Sequence, residues 1–563
     1  MANMRVIVEL APSETLAENA GMAVTDESVG LADSVKVNVA GLTLDTSFPP
    51  VELVGRLDTP TADSILDPRS FVLSDNSADS TYLVRGEIDA DDYEKVLKSP
   101  KVKAIYADPV IEPFAVCPTG PVGTDADVER LLCTSRMRPV GMDGTGVLVA
   151  IVDTGINLDH LRSRGKTPVF DAASSWVPRA GLTPGSLAVG HGTMCAYDVL
   201  IAAPNCTLAD IALLQSNAPG GTVMEGLLSD AVRAFNHLLT IMRNPRRRFQ
   251  SMVVNNSWGM FRPSWDFPVG HPGNYSDNPN HPFNLLVGNL ERAGADILFA
   301  AGNCGSDCPD GRCREPGGAV FTNRIYGANS HPAVLSVAGV TIDSVRIGYS
   351  TKGPGCLTHN KPDLAGFTHF RGSGVYSADG GTSAACPVVA GVVAAVRSVR
   401  PYDATNPVTA PAAIRTLMTT TATDVTPSGY DLETGFGIVG GCRLIDRLFP
   451  LRVPVDFCRR FPNLCGRWRW PVPNPFPNPF PWPGPFPGPQ PGPFPGPQPG
   501  PGPRPGPFSA QTDDGGYGDT DDSQLEGLLM QAYYQGLMAS GQYPAMAHSE
   551  PQPRKKCNCG CTD

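Results

Sequence analysis

Short, mainly apolar runs alternate with longer stretches of helical period through the middle of the chain. Val147-Leu-Val-Ala-Ile-Val152 reads as a strand buried on both faces, and 252–255, 296–301 and 333–337 read the same way. Apolar positions recur at helical spacing over 192–202, 226–243 and 383–400. A parallel strand pair needs a crossover, usually a helix, and helices on both faces remove the polar alternation from the strands. The pattern over 116–450 therefore predicts an α/β fold class, three layers with a mostly parallel sheet.

The flanks read differently. Strands at 4–10, 81–88 and 102–106, with a helix over 90–99 that opens on acids, make 1–115 a small separate α+β domain. Within it, 11–78 is acidic, rich in Ser, Thr, Asp and Pro, and reads as an insertion. Beyond the body come a Cys/Arg/Trp connector at 451–470, a Pro-rich tract at 471–508, and 509–563. Every odd position of the tract is proline, 19 of its 38 residues, so half its amides lack a hydrogen and no ladder can form. It reads as an extended polyproline spacer of about 100 Å. Prolines two apart never give Pro-x-x-Pro, which argues against a ligand for SH3-type domains. The last segment holds an acidic, disordered-type stretch, a short amphipathic helix at 523–540 opening on Ser523-Gln-Leu-Glu526, and Cys557, Cys559 and Cys561. That helix either docks a partner or folds back on the body.

Composition narrows the function. Of 563 residues 41% are apolar, enough for a large core. Lys and Arg total 44 against 55 Asp and Glu, a net charge of −11, which argues against a nucleic-acid binder. No apolar run reaches the length of a membrane span. The start of the chain, broken by Glu9, reads as a strand and not as a secretory signal. That leaves the cytoplasm as the default compartment, with non-classical export or secretion as alternatives, and 15 cysteines pull against a reducing one.

Three tripeptides carry candidate chemistry. Asp153-Thr154-Gly155 follows the strand 147–152, His191-Gly192-Thr193 opens a helical stretch, and Gly381-Thr382-Ser383 opens a long apolar helix. A serine hydroxyl is a poor nucleophile and needs a base within reach. An imidazole can take the proton and return it to a leaving amine, and a buried carboxylate holds the right tautomer. Asn303, after strand 296–301, could donate to an oxyanion beside the Ser383 N–H. Ser257-Trp258-Gly259 could pair edge-on with a peptide backbone. Asp-Thr-Gly is also the aspartic-protease signature, but that site needs two copies and one is present.

Together these residues resemble a subtilisin-like serine protease with an inhibitor-type propeptide. The resemblance covers 125–446 and rests on Val152-Asp-Thr-Gly-Ile156 with His160, His191-Gly-Thr193, Ala300-Ala-Gly-Asn303 and Gly381-Thr-Ser-Ala-Ala-Cys-Pro387. It implies a subtilisin-like domain that hydrolyses peptide bonds in polypeptide substrates through an acyl-enzyme. Ser383 would be nucleophile, His191 acid/base and Asp153 its orienter. Asn303 would line the oxyanion hole, and Ser257, Trp258, Gly259, Ala301 and Gly302 would bind substrate. Residues 1–115 would assist folding and inhibit, their tail leaving through the active site. No cofactor is required; calcium is common in such proteins, but no ligand set stands out and no metal ligand is assigned. Family members usually carry Met where Ala384 stands and a small residue where Tyr197 stands. A second reading, a catalytically silent relative that binds peptides in the same cleft, is opposed by the intact Asp153, His191, Ser383 and Asn303. Cys304, Cys308 and Cys313 allow a disulfide, free thiols or a metal.

Overall fold

The computed structural model describes residues 3–13, 16–17, 20, 39–53, 81–113, 120–215, 226–315, 317–425 and 428–450. The connector, the polyproline spacer, the 523–540 helix and the cysteine tail lie outside the described residues. The elements below all fall in the Met1–Phe449 part of one compact unit.

The N-terminal part holds β1 (Asn3–Leu10), β2 (Leu42–Leu44), β3 (Val51–Leu53), β4 (Thr81–Asp89), α1 (Tyr93–Leu97), β5 (Val102–Ala107) and β6 (Val110–Pro113). β1 lies between β4 and β5, and β2 and β3 both pair with β4, all antiparallel. The reading of 11–78 as an insertion is corrected in part: 42–44 and 51–53 are strands of this sheet. Val6, Val8, Val84, Ile88, Val96 and Ile105 form its small core. Glu9, which breaks the apolar run of β1, is buried and accepts hydrogen bonds from Thr81 and Tyr106 hydroxyls, both at 2.8 Å.

The main body follows in chain order: α2 (Asp125–Leu131), α3 (Thr134–Met137), β7 (Val147–Val152), α4 (Leu158–Ser163), β8 (Val169–Phe170), α5 (His191–Ala202), β9 (Thr207–Ile211), β10 (Gly226–Leu227) and α6 (Leu228–Arg243). Then come β11 (Ser251–Asn256), β12 (Trp258–Gly259), α7 (Pro282–Arg292), β13 (Ala295–Ala300), β14 (Leu335–Val340), β15 (Leu364–Phe367), α8 (Thr382–Val399), α9 (Pro411–Thr420) and α10 (Gly441–Leu448). Seven strands form one sheet in the order β15-β14-β13-β11-β7-β9-β8, every pair parallel. Val147, Val149 and Ile151 of β7 join a core with α5 and α8, whereas Leu148, Ala150 and Val152 join a second with α6 and α7. That two-faced burial is why β7 shows no polar alternation.

α8 is long and apolar enough to cross a membrane by length and composition, but 89% of it is buried inside the protein, so it serves as a core helix. Of the options open for the 304–313 cysteines, the structure has a Cys304–Cys313 disulfide, and Cys308 is disulfide-bonded too. A further bridge, Cys133–Cys442, ties the start of α3 to α10 across 309 positions of sequence.

Candidate active site

β7, apolar throughout and paired on both edges, delivers Asp153 to its carboxyl end, fully buried. The Asp153 carboxylate accepts hydrogen bonds from Thr154 N–H (2.7 Å) and from His191 Nδ1 (2.8 Å). A carboxylate can only accept, so Nδ1 carries the proton and Nε2 presents its lone pair. Nε2 is buried and has no hydrogen-bond partner.

The other residues of the tripeptides lock the two loops together. Thr154 Oγ1 accepts from Gly192 N–H (2.9 Å), and Asn157 N–H donates to Thr193 Oγ1 (3.0 Å). Gly155 has φ +99°, and a Cβ on Gly192 would sit 2.6 Å from the Gly155 carbonyl. Glycine is demanded at both places, by backbone conformation at one and by close approach at the other.

Ser383 lies in the first turn of α8, fully buried. Its hydroxyl donates to the Ser257 carbonyl (3.2 Å), not to His191, while Ser257 Oγ donates back to the Ser383 carbonyl (3.0 Å). Catalytic hydrogen bonds are often slack without substrate. The sulfur of Cys195, one turn beyond His191, marks where the three segments meet. It lies 3.7 Å from Asp153 Oδ2, 3.9 Å from His191 Nδ1 and 3.5 Å from the Ser383 carbonyl. Sequence reading missed Cys195, although its i+4 spacing from His191 puts it on the same helix face. Burial first, then the Asp153 charge, pushes this thiol well up, so it stays protonated.

Asn303 follows β13. Its Oδ1 accepts from both the N–H and the hydroxyl of Thr382, each at 3.0 Å, which fixes the orientation of the amide and leaves its NH2 as the donor end. Gly302 N–H donates to Thr382 Oγ1 (3.0 Å), and Ala301 N–H to the Val337 carbonyl (2.9 Å). Ser257, Trp258 and Gly259 run off the end of β11, with Asn329 donating to the Trp258 carbonyl (2.8 Å).

A sequence profile of the subtilase family matches residues 144–437, just over half of the chain and the span that holds every group above. The chain belongs to the subtilase family. It is 27% identical over 324 residues to fervidolysin of Fervidobacterium pennivorans, a match covering 53% of this chain and 40% of that protein. It is 25% identical over 336 residues to a thermostable alkaline protease of Halalkalibacterium halodurans (58% of this chain, 74% of that one). A calcium-dependent protease of Trichormus variabilis is 26% identical over 287 residues (46% and 40%). The chain thus spans less than half the length of fervidolysin.

Two features of this subtilase lie beyond the motifs. The first is Asp210 on β9, buried beside Asp153. It accepts from Gly185 N–H (2.8 Å) and Ile156 N–H (3.0 Å) through one oxygen, while the other has no partner. Burial, only partly offset by those two bonds, pushes its carboxyl up to about 7. The second is β6, the middle strand of a three-stranded sheet between β10 and β12. It pairs antiparallel with both: Ile111 with Gly226 and Val110 with Leu227, Pro113 with Trp258 and Glu112 with Gly259.

Among the described residues, Asp153, His191 and Cys195 are the one group of three or more His, Cys, Asp or Glu with ligand atoms within 4.8 Å of each other. Nitrogen, sulfur and a single carboxylate do not suit calcium, which takes six to eight oxygens.

Proposed function

We propose that this chain is a serine endopeptidase made as a self-inhibited precursor. The observation that carries the reading is the convergence of Asp153, His191 and Ser383, with the base's Nδ1 tied to a buried carboxylate and Nε2 left bare. Ser383 attacks the scissile carbonyl while His191 Nε2 takes its proton, and Asp153 stabilises the imidazolium. Asn303 and the Ser383 N–H receive the oxyanion, an arrangement in which one side-chain donor is worth about 3–4 kcal/mol of barrier. His191 then protonates the leaving amine, and water resolves the acyl-enzyme.

Residues 1–115 act as the inhibitor and 116–450 as the enzyme. β6 occupies the edge where a substrate backbone would pair. Buried polar contacts hold the N-terminal sheet against α6. Arg85 binds Asp230 (3.1 Å) and Asp45 (3.0 Å), and Asp108 accepts from the N–H (2.8 Å) and hydroxyl (2.7 Å) of Ser229. Calcium dependence, as carried in the names of two relatives, is left without a ligand set here. A fluorophosphonate probe tests the chemistry: wild type should label and Ser383→Ala should not. Absence of labelling in both would leave a peptide-binding protein.

A further inference from the structure

We infer that Asp198 and Asp379 are positioning residues: they share one proton between the helix that carries His191 and the loop that carries Ser383, and loss of that proton at alkaline pH turns the enzyme off. The inference rests on the proposed peptidase reading and adds a regulation of the same site.

Asp198 lies on α5, about two turns beyond His191, and is fully buried. Neither of its oxygens has an N–H or hydroxyl partner. As a carboxylate it would be an uncompensated buried charge, which is costly. Its hydrogen-bonding neighbour is another fully buried carboxyl, Asp379. Asp379 already accepts from the N–H and the hydroxyl of Ser373, both at 2.5 Å. Two carboxylates can only accept, so the contact between them is a bond only when one carries a proton. Asp379 has the donors of Ser373 and Asp198 has none, which puts the proton on Asp198. Burial first, then the charge of Asp379, pushes the Asp198 carboxyl well up.

The neighbouring charged groups are otherwise engaged. The Tyr197 hydroxyl donates to Asp125 at the start of α2 (2.5 Å), and Lys166, just past α4, stands over the Tyr197 ring at 4.7 Å. Lys166 favours a charge on Asp198, whereas Asp379 and Asp125 oppose one. Arg164 donates to the Gly372 carbonyl (2.9 Å). Cys195 and Tyr376 also face the pair, and burial pushes both of them up, so they stay neutral.

The pair joins the two halves of the catalytic machinery. Asp379 stands four residues before Ser383, and the stretch between is stiff. Asp379 N–H donates to the Phe370 carbonyl (2.7 Å), Gly381 N–H to the Tyr349 hydroxyl (2.9 Å), and Thr382 N–H to Asn303 (3.0 Å). Asp379, Ser383 and Asn303 therefore move as one body, and Asp198 moves with His191 on α5. The bond is closed at neutral pH. When the pH rises far enough to ionise both carboxyls, two like charges meet in a site without water, and repulsion parts the bodies. A misplacement of about 1 Å between base and nucleophile is enough to cost about a hundredfold in rate.

The test uses the full chain. In Asp198→Asn the amide NH2 donates to Asp379 at every pH, so the bond no longer needs a proton. On a peptide anilide, kcat/KM of wild type should fall towards pH 11, and the ratio of Asp198→Asn to wild type should rise at least about tenfold between pH 7 and pH 11. Lys166→Arg, whose charge does not titrate, should keep the wild-type fall. Parallel profiles for wild type and Asp198→Asn, or a fall abolished by Lys166→Arg, would overturn the inference. Infrared spectra of Ser383→Ala read the proton without using activity. At pH 9, above the range where Asp210 titrates, they should hold a protonated-carboxyl C=O band that fades towards pH 11 and is missing once Asp198→Asn is added. Absence of that band in Ser383→Ala would overturn the inference even if Asp198→Asn failed to fold. No fluorophosphonate labelling of wild type, with the band in place, would overturn the peptidase reading instead.

Discussion

Replacing Asp210 with Asn should make the protein more resistant to unfolding at alkaline pH, by an amount that grows as the pH rises. The carboxyl is fully buried, and burial lifts it from 3.8 to about 7. Its folded value lies above its unfolded one, so the folded state binds the extra proton between those values. The associated stability is complete below about pH 4 and is lost as the pH rises through about 7, a total of about 4 kcal/mol. Asn has the same shape and keeps an oxygen for the Ile156 and Gly185 N–H groups. It does not titrate, and it removes the charge next to Asp153. The partnerless oxygen becomes a partnerless NH2, which costs about 1 kcal/mol at every pH. The informative quantity is therefore the change of the gap with pH, roughly 2.5 kcal/mol between pH 5 and pH 8 in favour of the variant. Urea unfolding of both forms at the two pH values, in the Ser383→Ala background to prevent self-digestion, measures it. A gap that stays constant from pH 5 to pH 8 would refute the reasoning, because it would mean Asp210 is already ionised in the folded protein at pH 5, as it is in the unfolded chain.

Other predictions follow from the same geometry. Asn303→Leu should lower kcat by about 10²–10³ with little change in KM, read by steady-state kinetics on a peptide anilide. Arg85→Met leaves Asp230 buried with only Arg233 at 3.8 Å, so docking of the N-terminal sheet should weaken by about 3 kcal/mol. The purified variant should lose latency faster than wild type in a time course. Replacing Cys133 and Cys442 together by Ser reopens a loop of 309 residues and should cost about 4–5 kcal/mol, visible as a lower Tm.

The chain's own order of residues determined its sheet strands wherever both faces are covered by helices. β7 is legible because its whole run is apolar between two helical layers, and β13 because four apolar residues follow Asp296, whose buried carboxylate pairs with Arg397. β9 is not, because Asp210 breaks its apolar run, and that carboxylate is tolerated only through N–H groups from residues 156 and 185. The same division holds at the site. Asp153, His191, Ser383 and Asn303 are legible because each sits at the end of an element and each tripeptide has a narrow chemical purpose. Thr154 and Thr193 gain their meaning only when the two loops interlock, and Cys195 only when helix α5 turns it towards Asp153. Which cysteines join and which strands flank β6 were decided by tertiary structure alone. Each depends on contacts between segments far apart in sequence, and local periodicity carries no record of a distant partner.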